Sequence, residues 1–200
     1  MRDDLATLVG SRICHDLISP IGAIGNGVEL MGMAGTTGLT EEMALISGSV
    51  EDASARIRFF RIAFGSAKSQ GLVARREIRS ILRAVGNSSR SSVDWQIAED
   101  SSRERVQIAF LALQCLESAM PLGGEVTVSE DGSLWTLHAT GPRLTPDPDL
   151  WAGLLNPALL PQISPAKVQL ALLPEVLREA GLKIETDLSD ARLGIRILPA

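Results

Sequence analysis

Residues 12–31, Arg12-Ile13-Cys14-His15-Asp16-Leu17-Ile18-Ser19-Pro20-Ile21-Gly22-Ala23-Ile24-Gly25-Asn26-Gly27-Val28-Glu29-Leu30-Met31, place apolar side chains at Cys14, Leu17, Ile21, Ile24, Val28 and Met31. Steps of three and four alternate along that series, which is the seam of a helix packed lengthwise on others. The glycine-rich run from Gly32 to Gly38 predicts its end. Thr40 then suits an N-cap, and Glu41 and Glu42 suit the positive pole of a second helix. Met43, Ile46, Val50, Ala53, Ile57, Phe60 and Phe64 repeat the spacing before Gly65. Two matched seams predict an antiparallel hairpin. A lone hairpin leaves apolar faces open, so two copies are expected to pair as a four-helix bundle across a two-fold axis, making a homodimer.

Beyond residue 70 the pattern changes to short alternating segments. Helices are expected near Glu77 to Val85 and Arg103 to Met120, and strands near Val93 to Ile97, Glu125 to Val128 and Leu134 to Ala139. A proline-rich loop from Gly141 to about Pro165 precedes a helix to Ala180 and a closing strand pair, Lys183 to Asp187 and Arg192 to Leu198. Helices on one side of a mixed sheet fit this order. The expected fold is α+β, with a helical hairpin over residues 1–68 and a two-layer α/β sandwich over residues 69–200.

Composition narrows the function classes. The chain has 45% hydrophobic and 22% charged residues, an ordinary globular balance. No apolar run approaches the roughly 18 to 20 residues of a membrane helix, and Met1-Arg2-Asp3-Asp4 lacks a signal-peptide start, so a cytoplasmic protein is expected. A formal charge of -5 argues against duplex nucleic acid as partner. The basic clusters Arg56-Arg58-Arg61 and Arg75-Arg76-Arg79-Arg83 read as solvated helix faces, as do Glu29, Glu51 and Asp52. Cys14 and Cys115 read as free buried thiols, and with His15 and His138 they form no metal-ligand spacing. His138, in a strand pattern, reads as structural.

His15 followed by Asp16 is the chemical centre of the opening stretch. A neutral imidazole nitrogen attacks phosphorus, and a neighbouring carboxylate takes or orients the proton on the other nitrogen. On a helical wheel His15 lies just off the seam, so its ring is expected in solvent. Ser11, Ser19, Gly22 and Asn26 continue along the same flank as a stripe of small or amide side chains, which either admits a partner's backbone or is simply tolerated on a helix surface. Arg12, one turn before His15, suits holding a phosphoryl group and equally suits pairing with a nearby acid. Ser19 suits a partner contact or a bond back to the His15 carbonyl. Asp16 also fits the helix dipole alone. Pro20 removes a backbone donor near the ring and is expected to bend the helix.

The segment His15-Asp16-Leu17-Ile18-Ser19-Pro20 resembles the H-box of sensor histidine kinases, His-Glu-Leu-Arg-Thr-Pro in its usual form. With Arg12-Ile13-Cys14 before it and Ile21-Gly22-Ala23-Ile24-Gly25-Asn26-Gly27-Val28-Glu29-Leu30 after it, the chain is identified as a member of the ChpT-type histidine phosphotransferases. The second half resembles the ATP-binding domain of histidine kinases with its boxes eroded. Gln114 and Ser118 stand where the N-box has asparagines, Ala139-Thr140-Gly141-Pro142-Arg143 stands for Asp-x-Gly-x-Gly, and Lys167 and Gln169 fall where phosphate-loop glycines belong.

The resemblance implies a kinase-like body without kinase chemistry, with no cofactor of its own and magnesium on the partner receiver domain. Phospho-His15 would carry a phosphoryl group from the receiver of a CckA-like hybrid kinase to CtrA-like and CpdR-like response regulators, with Asp16 in the catalytic role and Arg12, Ser19, Gly22 and Asn26 as contacts. Two alternatives stand beside it: an ATP-dependent histidine kinase core, and a dimeric docking protein that blocks a two-component partner without chemistry.

Overall fold

The computed structural model describes residues 2–34, 39–66, 71–189 and 192–200. Two helices, α1 (Arg2–Ala34) and α2 (Leu39–Ala63), form the hairpin. Residues 35–38, within the glycine-rich run expected to end the first helix, and the expected boundary at 68 and 69 lie outside the described residues. Helix α2 begins at Leu39, so Thr40 falls inside it rather than at its cap.

The hairpin divides each predicted seam into two rows of seven-residue spacing. Leu17, Ile24 and Met31 are half-buried in the chain, whereas Cys14, Ile21 and Val28 face outward. On α2, Ile46, Ala53 and Phe60 turn inward and Met43, Val50 and Ile57 outward. Cys14 is therefore an exposed thiol rather than a buried one, while Cys115 is buried as expected. Gly27 is buried at the crossing, where an added Cβ would lie 2.6 Å from Ile46 Cγ1, so glycine lets the two backbones approach.

The α/β body contains α3 (Arg75–Asn87), α4 (Arg103–Glu117), α5 (Pro148–Leu155), α6 (Gln169–Glu179) and a five-stranded sheet. Its strands are β2 (Ser91–Trp95), β4 (Gly124–Asp131), β5 (Leu134–Thr140), β6 (Leu182–Ser189) and β7 (Arg192–Pro199), in the order β2-β4-β5-β7-β6. Among the described residues of this sheet only β2–β4 is parallel. A two-residue pair, β1 (Leu72–Val73) with β3 (Ser101–Ser102), stands apart. Period-two burial shows one covered face: Val128, Leu137 and Ile195 align across three strands and are buried, as are Val126, Ala139 and Leu193. His138 lies between Thr127 and Gly194 on the opposite face, half-buried.

The region expected as a loop holds helix α5 and two short 3-10 turns at Pro157–Leu159 and Pro165–Lys167. Asp147 caps α5 by accepting from the Asp149 and Leu150 amides, with Pro148 opening the helix. Trp151 and Leu154 anchor it in the core. A stretch of proline and leucine hid this element from periodicity.

Hairpin and body share one apolar core. Phe59, Phe60, Ile62 and Ala63 at the end of α2 are buried in the same cluster as Ile81, Phe110 and Leu111. Phe59 stacks on Phe110 with centroids 4.5 Å apart and planes at 6°. The carbonyls left open where α2 ends are filled from α4: Gln107 Nε2 donates to the Ala63 and Gly65 oxygens at 3.1 and 2.8 Å, and Arg103 donates to the Arg61 oxygen at 2.6 Å. The stalk is thereby fixed to the body at one end, and helix α1 is laid across the body where α4 finishes.

Candidate functional site

The site is built on α1 in its second quarter, where the helix runs on through Pro20. Pro20 is buried, and having no N–H it cannot serve the Asp16 carbonyl four residues back. The His15 side chain is 83% exposed. Its Nδ1 lies 3.1 Å from Asp16 Oδ1, while Asp16 Oδ2 accepts from Arg12 Nε at 2.7 Å. A carboxylate facing Nδ1 favours the tautomer with its proton there and leaves Nε2 as a free lone pair pointing to solvent. Asp16 itself is largely buried, so its two hydrogen bonds replace lost hydration and hold it in place.

Arg12 pairs with an acid, one of the two roles open to it in the sequence. Its guanidinium also donates from Nη1 to the Ala166 oxygen at 2.5 Å, tying α1 to the turn before α6. Ser11, Ser19, Gly22 and Asn26 are exposed along the His15 flank, and nothing lies within 4 Å of a Cβ placed at Gly22. The structure thus leaves the whole stripe accessible alongside the ring.

Beside Asp16, a cavity of about 90 Å³ between hairpin and body brings together Arg12, Asp16, Arg56, Ser89, Gln114 and Glu117. Arg56 and Asp52 depart from the expectation of solvated helix faces. Arg56 Nε pairs with Asp52 Oδ2 at 3.1 Å and Ser88 donates to Asp52, so both charges sit at the hairpin–body junction. Glu117, on the last turn of α4, was not singled out by sequence because no basic residue stands three or four places from it to pair with. Burial pushes its carboxyl up to about 7, against the opposing pull of Arg12 and Arg56 and with help from Asp16.

The positions matched to nucleotide boxes pack against each other. Gln169, buried, donates to the Gln114 oxygen at 3.4 Å, and Lys167 Nζ lies 3.5 Å from the Ser118 oxygen, whose own hydroxyl donates back to the Cys115 oxygen at 2.7 Å. These side chains occupy the space between α4 and α6. Among the described residues no cluster of His, Cys, Asp and Glu is placed to hold a metal ion, and no helix is long and apolar enough to cross a membrane.

An exposed histidine held by a carboxylate thus stands on a helical stalk fixed to an α/β body. A sequence profile described as histidine phosphotransferase C-terminal domain matches residues 75–192. The chain belongs to that family. It is 37% identical over 132 residues to the protein phosphotransferase ChpT of Brucella abortus (strain 2308), a match covering 65% of this chain and 62% of that protein, under two thirds of its length. A solved bacterial phosphotransferase superposes with a TM-score of 0.80 at 29% identity, over 98% of this chain and 97% of the other.

Proposed function

We propose that the chain is a phosphorelay histidine phosphotransferase: it takes a phosphoryl group from a receiver-domain aspartate on His15 and passes it to the aspartate of a second receiver. The observation that carries this reading is the His15 ring, open to solvent on its Nε2 side and held by Asp16 on its Nδ1 side. In the step itself, the Nε2 lone pair forms the N–P bond as the P–O bond of the phosphoaspartate breaks and the receiver's carboxylate leaves. The Nδ1 proton stays on the ring, where Asp16 stabilises the positive charge that the imidazole gains. Reversal onto another receiver uses the same geometry.

Positioning does most of the work, and the magnesium that shields phosphoryl charge belongs to the receiver. The small side chains at Ser19, Gly22 and Asn26 leave room for a receiver's backbone on the ring's flank. Lys167 and Gln169, whose side chains reach the Ser118 and Gln114 oxygens at the end of α4, support a body that does not take ATP. The outward rows Cys14-Ile21-Val28 and Met43-Val50-Ile57 support pairing of two copies through the hairpins, because together with Ile18 the exposed large apolar side chains there are 45% to 67% accessible in the single chain. A CckA-like donor, CtrA-like and CpdR-like acceptors and a cytoplasmic site belong to the same proposal.

The test is incubation with a labelled phosphorylated receiver. Acid-labile, alkali-stable label should appear on the chain and vanish in His15→Ala. Label that persists in His15→Ala overturns the assignment, and micromolar ATP binding by calorimetry would favour a kinase instead.

A further inference from the structure

The cavity beside Asp16 is lined by Arg12, Arg56, Asp16 and Glu117, and Asp52 pairs with Arg56 at its edge, so three carboxyls meet two guanidiniums. Arg12 from α1 is held by Asp16, and Arg56 from α2 is held by Asp52. Those two pairs cancel. Glu117 enters from α4 as a third carboxyl lining the same cavity as both guanidiniums and within their electrostatic reach, and among the described residues it makes no ion pair of its own. The other polar groups around it are the Ser89 hydroxyl from the turn after α3 and the Gln114 amide, which is buried and has no hydrogen-bond partner among the described residues. Lys167, from the turn before α6, is directed to the Ser118 oxygen on the adjoining turn. The cluster is neutral when Glu117 carries a proton and bears one surplus negative charge when it does not.

We propose that Glu117 is a positioning residue for His15, its carboxyl competing with Asp16 for the Arg12 guanidinium, so that the proton state of Glu117 sets how firmly Asp16 holds the imidazole. Protonated, Glu117 leaves Arg12 Nε on Asp16 Oδ2, and Asp16 Oδ1 stays on Nδ1. Ionised, it draws Arg12 and Arg56 toward α4, and Asp16 loses the donor that orients it. Burial brings this switch to about 7, within reach of ordinary pH changes. Phosphorylation of His15 adds negative charge beside Asp16 and so favours the protonated form. Through Glu117 the degenerate body thus acts on the reactive ring of the stalk, a link that no contact of His15 itself supplies.

The consequence for transfer rests on the phosphotransfer reading of His15, whereas the competition for Arg12 does not, and two measurements separate them. In the first, transfer from a phosphorylated receiver is timed for the wild type and Glu117→Gln at each pH, so that the titrations of His15 and of the receiver cancel in the ratio. The variant should match the wild type at pH about 6 and be faster by at least about threefold at pH about 8, the scale of coupling between contacting groups. A ratio that does not change with pH overturns the proposal, since a merely structural role would move both rates together. In the second, the Arg12 Nε–H resonance, identified by its loss in Arg12→Lys, is followed through the same range. It should shift with a midpoint near 7 in the wild type and stay fixed in Glu117→Gln. A fixed resonance in the wild type sinks the competition whether or not His15 accepts phosphate. Glu117→Met, neutral and of similar length, should reproduce both results if the glutamine variant fails to fold.

Discussion

Replacing Glu117 by glutamine should stabilise the protein at high pH and leave it nearly unchanged at low pH. Burial moves the carboxyl from its usual 4.5 up to about 7, so the folded state binds its proton more tightly than the unfolded chain. Below about 4.5 both states are protonated and the group costs nothing. Between 4.5 and about 7 the unfolded chain ionises first, so stability falls as pH rises, and above about 7 the loss is complete. At about 1.4 kcal/mol per tenfold change in proton affinity, the full interval corresponds to ~3 kcal/mol. Partial solvent access and relaxation around the cavity reduce it to ~1–2 kcal/mol. Glutamine keeps the size and removes the charge. Urea unfolding at fixed protein concentration should therefore show Glu117→Gln more stable by ~1–2 kcal/mol at pH about 8, with the difference shrinking below ~1 kcal/mol at pH about 5. A variant destabilised equally at both pH values would refute the reasoning, because it would mean that Arg12 and Arg56 hold an ionised Glu117 as a net favourable partner.

Asp16→Asn keeps the shape of the side chain but weakens the anchor for the Nδ1 proton and for Arg12, so transfer timed with a phosphorylated receiver should slow by about 10² to 10⁴-fold while the far-ultraviolet circular dichroism is unchanged. The proposed pairing of hairpins predicts that the wild type sediments as a dimer and that Ile21→Glu with Val50→Glu, which places charge in the outward rows, sediments as a monomer; equal sedimentation removes the paired hairpins. Phe110→Ala removes the ring stacked on Phe59 at the junction of stalk and body and should cost ~3–5 kcal/mol in chemical unfolding. A loss below ~1 kcal/mol would show that α2 and α4 do not share a core.

The stalk was legible because helices leave a periodic trace. Alternating steps of three and four located α1 and α2, and period-two runs located β4, β5, β6 and β7 within a few residues. Helix α5 escaped, since its capping aspartate and first-turn proline lie among other prolines and it is only eight residues long. Its existence depends on Trp151 and Leu154 finding the core, a tertiary event.

His15, Asp16 and the open flank around them were set by the sequence alone, because residues one to four apart on a helix have their relative directions fixed by the backbone. The same local geometry delivers Arg12 to Asp16, although the sequence left that partner open. What the chain order could not say is which row of each seam faces its own hairpin and which faces outward, since both rows are equally apolar. Nor could it show that Arg56, Ser89, Gln114 and Glu117, drawn from distant segments, meet beside Arg12 and Asp16. That meeting is decided by the packing of α2 on α4, where Phe59 and Phe110 stack and Gln107 closes the end of α2, because long-range contacts and the burial of charge exist only once the layers are assembled.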